Sequence, residues 1–298
     1  MAKIIRDFQL SLFGGVNTNK IVNVATVPHR SPFRYPGGKT WLVPFVRQWL
    51  ISLPQRPKEF IEPFAGGAIV GLNVAFEHLA EHITLVELDD QVAAVWKTIF
   101  SGDYEWLANR IVTFQLTEEA VETELAREYS SLKEKAFQTI LKNRINRGGI
   151  LAPGAGRIKK GENGKGIKSR WYPDTLQKRI LTLAMIRDRI TFIEGDGLEV
   201  LAQNTERKDT AFFIDPPYTA SGKKAGTRLY SCSEIDHERL YSLVGKVAGD
   251  FLMTYDDSEG VILLADKHGF EYERVAMKNT HHTEMMELLI SRNLDWLK

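Results

Sequence analysis

Short apolar runs that alternate with stretches of helical periodicity set the reading of this chain. Glu59-Phe60-Ile61, Ile83-Thr84-Leu85-Val86, Ile190 to Ile193, Ala211-Phe212-Phe213-Ile214 and Asp250 to Tyr255 read as short buried strands. Trp41, Phe45 and Trp49, with Leu42, Val46 and Leu50, recur at helical spacing. They predict a helix from about Thr40 with Pro44 in its first turn, where a missing N–H costs little. Ala68 to about Leu79 reads as a second, apolar helix. Glu118 to about Leu141 is predicted as one long polar helix carrying Leu125, Tyr129, Leu132, Ala136 and Ile140 on its apolar face. Leu176, Ile180, Leu183 and Ala184 mark another. Residues 1 to about 30 show no period and read as an irregular arm. Strands alternating with helices predict an α/β fold.

The loops carry the chemistry. Pro63-Phe64-Ala65-Gly66-Gly67 lies between a strand and a helix, and Glu87 follows the next strand about twenty residues later. Glycines let a backbone approach a ligand closely, and an acid at that distance can accept hydrogen bonds from ribose hydroxyls. The turn lacks the full Gly-x-Gly-x-x-Gly pattern, which favours a nucleoside ligand other than a dinucleotide. Asp215-Pro216-Pro217-Tyr218 leaves the most apolar strand. Its carboxylate can accept from an exocyclic amine, its prolines can hold a carbonyl in place, and its ring can stack on a heterocycle.

Composition narrows the classes. No apolar stretch of about eighteen residues is present, and Met1 to Asp7 lacks the apolar core of a signal peptide, so a soluble cytoplasmic protein is expected. The single cysteine, Cys232, excludes an internal disulfide and a thiolate metal site. His78-Leu79-Ala80-Glu81-His82 matches the H-x-x-E-H zinc pattern, but the helix runs out there as the next strand begins. His237, His281 and His282 form no ligand spacing, and no metal is expected. The formal net charge is only +1, yet residues 133 to 190 hold 15 Lys/Arg against 4 Asp/Glu, a net of +11, while the remainder holds 24 against 34, a net of −10. A basic segment in an acidic protein can attract phosphate. Arg147-Gly148-Gly149 through Lys168-Ser169-Arg170 within it is a glycine-rich basic loop suited to ordering against DNA.

Together these residues resemble the Dam-like family of adenine-specific DNA methyltransferases. The likeness runs from residue 31 to 291: Tyr35-Pro36-Gly37-Gly38-Lys39, Glu62-Pro63-Phe64-Ala65-Gly66-Gly67, Val86-Glu87-Leu88-Asp89, the basic insertion, Glu194-Gly195-Asp196, Asp215-Pro216-Pro217-Tyr218 and Met253-Thr254-Tyr255-Asp256. Most of these motifs are weak alone, and their order makes the match specific. The resemblance implies a Rossmann-like methyltransferase sheet in residues 1–100 and 190–298, with an inserted, mainly helical target-recognition domain at 101–189.

It also implies S-adenosylmethionine as methyl donor, bound by Tyr35, Lys39, Phe64, Gly66, Gly67, Glu87, Asp196 and Asp215. Lys39 suits the donor's carboxylate, and Glu87, standing where the family commonly has Asp, suits its ribose. Asp215, Pro216, Pro217 and Tyr218 form the implied catalytic set, acting on the amino nitrogen of an adenine flipped out of duplex DNA. Arg144, Arg147, Arg157, Lys159, Lys160 and Arg170 are candidate DNA contacts, and a separate restriction endonuclease is a possible partner in the same system. The alternatives are an inactive DNA-binding protein on the same fold, or an enzyme acting on cytosine or a protein glutamine. Those acceptors usually go with Ser or Asn in place of the Asp.

Overall fold

Each apolar run of the sequence is a strand of one sheet in the computed structural model, which describes residues 16–35, 37–217, 235–278 and 283–298. The strands are β1 (Glu59–Glu62), β2 (His82–Glu87), β3 (Ile190–Glu194), β4 (Thr210–Ile214), β5 (Asp250–Asp256), β6 (Glu271–Lys278) and β7 (Glu284–Ser291). Their spatial order is β3-β2-β1-β4-β5-β7-β6. The first five run parallel, and β7 is antiparallel to both β5 and β6. The last hairpin was not legible as strands. Much of β6 is solvent-exposed, so it lacks the apolar run that marks a central strand.

Alternation along the strands divides the core in two. Ala211 and Phe213 of β4 join Phe60, Ile83 and Leu85 on one face, whereas Phe212 and Ile214 join Ile61, Val86 and Met253 on the other. Phe212 and Phe213 are both fully buried, each contributing about 1.5–3 kcal/mol by leaving water. The first face is covered by α1 (Val43–Ser52), α2 (Ile69–Phe76) and α3 (Asp90–Ser101), and the second by α8 (Gly197–Gln203), α9 (His237–Lys246) and α10 (Glu259–Lys267). Pro44 sits in the first turn of α1, as its missing N–H predicts.

The stretch from 101 to 189 supplies α4 (Tyr104–Thr113), α5 (Glu118–Ala126), α6 (Leu132–Ile145) and α7 (Pro173–Ala184). Leu107, Ile111, Phe137, Ile140 and Ile180 share one apolar cluster with Val95 and Ile99 of α3, so this stretch packs directly onto the first face. The single helix expected over 118–141 is instead two. Ser131 caps α6 through Glu134 N, and Gln138 Nε2 donates to the carbonyls of Glu124 and Arg127, both at 2.8 Å. These bonds satisfy the ends of a broken helix, and the would-be apolar positions Tyr129 and Leu132 face solvent. Residues 16–30 follow an irregular path with one 3-10 turn at Val24–Thr26. His78 stands outside α2 with positive φ, and the His82 ring nitrogen bonds Thr191 at 2.8 Å, so the zinc-like spacing builds no helical ligand pair. No described helix is long and apolar enough to cross a membrane.

Candidate active site

The chain leaves β1 toward β2 on one side and β4 toward β5 on the other, and a crevice opens between these neighbours at their carboxyl ends. A cavity of about 630 Å³ occupies it. Tyr35, Lys39, Phe64, Gly66, Gly67, Glu87, Asp196, Asp215, Pro216 and Pro217 all line this one cavity, although they lie up to 182 positions apart in the chain. Tyr218 lies outside the described residues, as do Pro36, Cys232, His281 and His282.

The glycine turn is built by contacts from three directions. Gly66 has φ +47°, and a Cβ there would stand 2.6 Å from Tyr35 Cε1. Its N–H donates to Glu87 Oε2 at 2.7 Å, and its carbonyl accepts from Trp96 Nε1 at 2.9 Å. Gly67 is constrained by Tyr35 Cβ, 2.9 Å from where a Cβ would sit. Glycine is therefore required at Gly66 by backbone conformation and at both positions by the close approach of Tyr35. Glu87 Oε1 accepts from Asp89 N at 2.8 Å, and burial, the largest influence, lifts the Glu87 carboxyl to about 7.

A carboxylate–ammonium–carboxylate bridge lies across the cavity floor. Lys39 Nζ sits 3.3 Å from Asp215 Oδ1 and 3.3 Å from Glu287 Oε2, and also donates to Gly37 O at 3.3 Å. Thr254 Oγ1 donates to Glu287 Oε2 at 3.2 Å. Lys39, read from sequence as the partner of a bound carboxylate, is thus engaged by Asp215 itself and is buried. Glu287 was missed because its strand carries no motif and the pairing spans almost the whole chain. Glu62, at the end of β1, is fully buried and accepts from Gly71 N at 2.8 Å. Burial, ahead of the charges of Asp215 and Glu87, holds its carboxyl well above the usual range. Among the described residues, seven carboxyl groups and a single lysine line the cavity, so its charge suits a cationic ligand.

Asp196 combines two roles, lining the cavity and capping α8 through Leu198 N at 2.8 Å. The candidate DNA contacts diverge. Arg147, Lys159 and Lys160 are exposed. Arg157 faces Glu118 and Glu122 at 3.6 and 3.5 Å, and Arg170 pairs with Glu162 at 2.5 Å. Arg144 is buried, its guanidinium donating to Pro32 O.

Helices on both faces of a sheet ordered 3-2-1-4-5-7-6, with the seventh strand reversed, form a Rossmann-like methyltransferase fold. The chain belongs to the D12 class N6 adenine-specific DNA methyltransferase family, whose model matches residues 35–279, and it is an enzyme of that class. No curated protein matches it. Among solved structures it is similar to a provisionally assigned RNA methyltransferase from Pyrococcus horikoshii, at 11% identity and TM-score 0.37 over 98% of each chain. It is also similar to a provisionally assigned class I S-adenosylmethionine-dependent methyltransferase from Listeria monocytogenes, at 11% identity and TM-score 0.37 over 99% of this chain and 69% of that one. A third is spermidine synthase from Thermotoga maritima, at 10% identity and TM-score 0.34 over 93% of this chain and 61% of that one.

Proposed function

We propose that this enzyme transfers the methyl group of S-adenosylmethionine to the exocyclic amino nitrogen of an adenine flipped out of duplex DNA. The observation that carries the proposal is the opening of the Asp215-Pro216-Pro217 loop and the Gly66–Gly67 turn with Glu87 into one acid-lined cavity. The donor supplies a methyl on a sulfonium cation, and its positive charge matches the carboxylates around it. Glu87 would accept from the ribose hydroxyls, while Tyr35 and Phe64 give the apolar walls. Among the described residues, the one lysine that lines the cavity, Lys39, is held by Asp215 and Glu287.

Asp215 and the Pro216 carbonyl would accept hydrogen bonds from the two amine hydrogens. This draws the nitrogen lone pair out of conjugation and aims it at the methyl carbon. Lys39 fixes one Asp215 oxygen, and Glu287 with Thr254 fixes Lys39, so the acceptor geometry is set before substrate arrives. As the nitrogen–carbon bond forms, the carbon–sulfur bond would break with its electron pair left on the neutral thioether, and the methylated nitrogen would then lose one proton, which Asp215 can relay to water. Tyr218 would stack on the flipped base, offsetting part of an unstacking cost of a few kcal/mol. The region 101–189 would act as the target-recognition module, with Arg147, Lys159 and Lys160 on phosphates.

Labelled methyl should pass from the donor to adenine in duplex DNA, and Asp215→Ala should lower the rate about 10²–10³-fold. Label found only on cytosine, RNA or protein would refute the acceptor assignment.

A further inference from the structure

Beside the reaction cavity lies a second, smaller one of about 210 Å³, walled by His29, Arg34, Arg144, Arg170, Tyr172, Thr175, Leu176 and Arg179. His29 lines both cavities. The segment 33–35 alternates between them, with Phe33 and Tyr35 toward the reaction cavity and Arg34 toward the smaller one. Four guanidinium groups surround this space, and among the described residues the carboxylate that pairs with them is Glu162, on Arg170.

Several donors there have no protein acceptor. Arg144 is 4% exposed, yet its Nε is buried without a hydrogen-bond partner among the described residues, and Arg34 Nη1 is in the same condition. Arg144 and Arg179 donate to main-chain oxygens, Pro32 O and Ser31 O. The first turn of α7, which carries Pro173 and the acidic Asp174, borders the cavity. Its capping residue Tyr172 makes no side-chain cap bond, and Tyr172 and Thr175 both face the cavity. Burial together with mutual repulsion holds Arg144 down to about 9 and His29 down to about 4, so the histidine is neutral and adds no charge. Buried like charges with unmet donors are costly unless an anion completes them.

We propose that this arginine cavity is a phosphate site, which takes the DNA backbone phosphate next to the flipped adenine. Guanidinium forks match phosphate oxygens bidentately. The cavity's place beside the reaction cavity, sharing His29, sets the phosphate close to the nucleotide being methylated. The DNA part of this proposal rests on the function proposed above, whereas the anion part stands on the cavity alone.

Arg34→Gln tests it, because the main-chain bonds that hold Arg34 run to Asn143 and survive the substitution. Inorganic phosphate should raise the melting temperature of the wild-type chain above that in sodium chloride of equal ionic strength. The increment should vanish in Arg34→Gln and return in part in Arg34→Lys, with S-adenosylmethionine affinity the same in all three. A target duplex with one neutral methylphosphonate linkage flanking the adenine should bind wild type about tenfold more weakly than unmodified duplex. Arg34→Gln should show no further loss at that linkage, as expected when both changes remove one contact.

Equal phosphate increments in wild type and Arg34→Gln would overturn the site. A phosphate increment lost in Arg34→Gln, with strictly additive losses at every DNA linkage, would overturn the DNA assignment in favour of a free anion. Absence of adenine methylation by wild type would defeat the proposed function instead, and the phosphate melting series would still decide the cavity.

Discussion

At the residue scale, Glu87 shows how a motif position acquires a property its spacing does not reveal. Sequence marks an acid at the end of the second strand. Only the fold surrounds it with the Gly66 and Asp89 N–H groups and enough burial to lift it to about 7. The raised pKa means that Glu87's contribution to folding is fullest below its ordinary value of 4.5 and is lost as pH rises through about 7. Donor binding runs the other way, since ribose hydroxyls donate to the charged form. Calorimetry should therefore find S-adenosylmethionine affinity rising from pH 6 to pH 8 in the wild type and flat across that window in Glu87→Gln. A wild-type affinity independent of pH would remove Glu87 from the ribose. Asp215 was legible because its loop is a compact local word. Its companions Lys39 and Glu287 form a bridge across 248 positions, which no local pattern encodes.

At the element scale, legibility followed burial only in part: β3 was read from its apolar residues although most of it is half-buried or exposed, and β7 was missed although Glu287 to Ser291 are buried. The strands at β1, β2, β4 and β5 could be read because they are apolar on two faces, whereas exposed β6 could not. The helix over 118–141 failed for a related reason: a polar helix carries a weak period, and the break is made by side-chain bonds from Ser131 and Gln138 rather than by Gly or Pro. Close packing between elements gives a sharp prediction at Gly197, the first residue of α8. A Cβ there would stand 2.1 Å from Pro63 O, a main-chain atom in the donor-side turn. Gly197→Ala should destabilise the protein by about 1–3 kcal/mol and weaken donor binding. Gly195→Ala, where a Cβ would meet only Ile193 Cγ2 at 3.6 Å, should be close to neutral. Denaturant unfolding of both variants checks this, and equal stability of the two would contradict the packing argument.

At the scale of the whole molecule, the charge division is the feature most visible in sequence and least resolved by it. The +11 segment is real, but its arginines separate on folding. Some pair with Glu118, Glu122 and Glu162, Arg144 is drawn inside, and Arg147, Lys159 and Lys160 stay exposed. Replacing those three exposed cations with Gln should lower the salt dependence of duplex binding by about one unit of log–log slope for each phosphate no longer neutralised, with donor affinity intact. An unchanged slope would place the DNA on another face. The same division appears at the site, where a cavity lined by seven carboxyl groups adjoins one walled by four arginines.

The most direct test reads modified bases in DNA from cells expressing this chain and, separately, its Asp215→Ala variant. The account predicts N6-methyladenine at one recurring sequence with the wild type and its loss with the variant. Adenine methylation that persists in Asp215→Ala, or modification confined to cytosine, would contradict it.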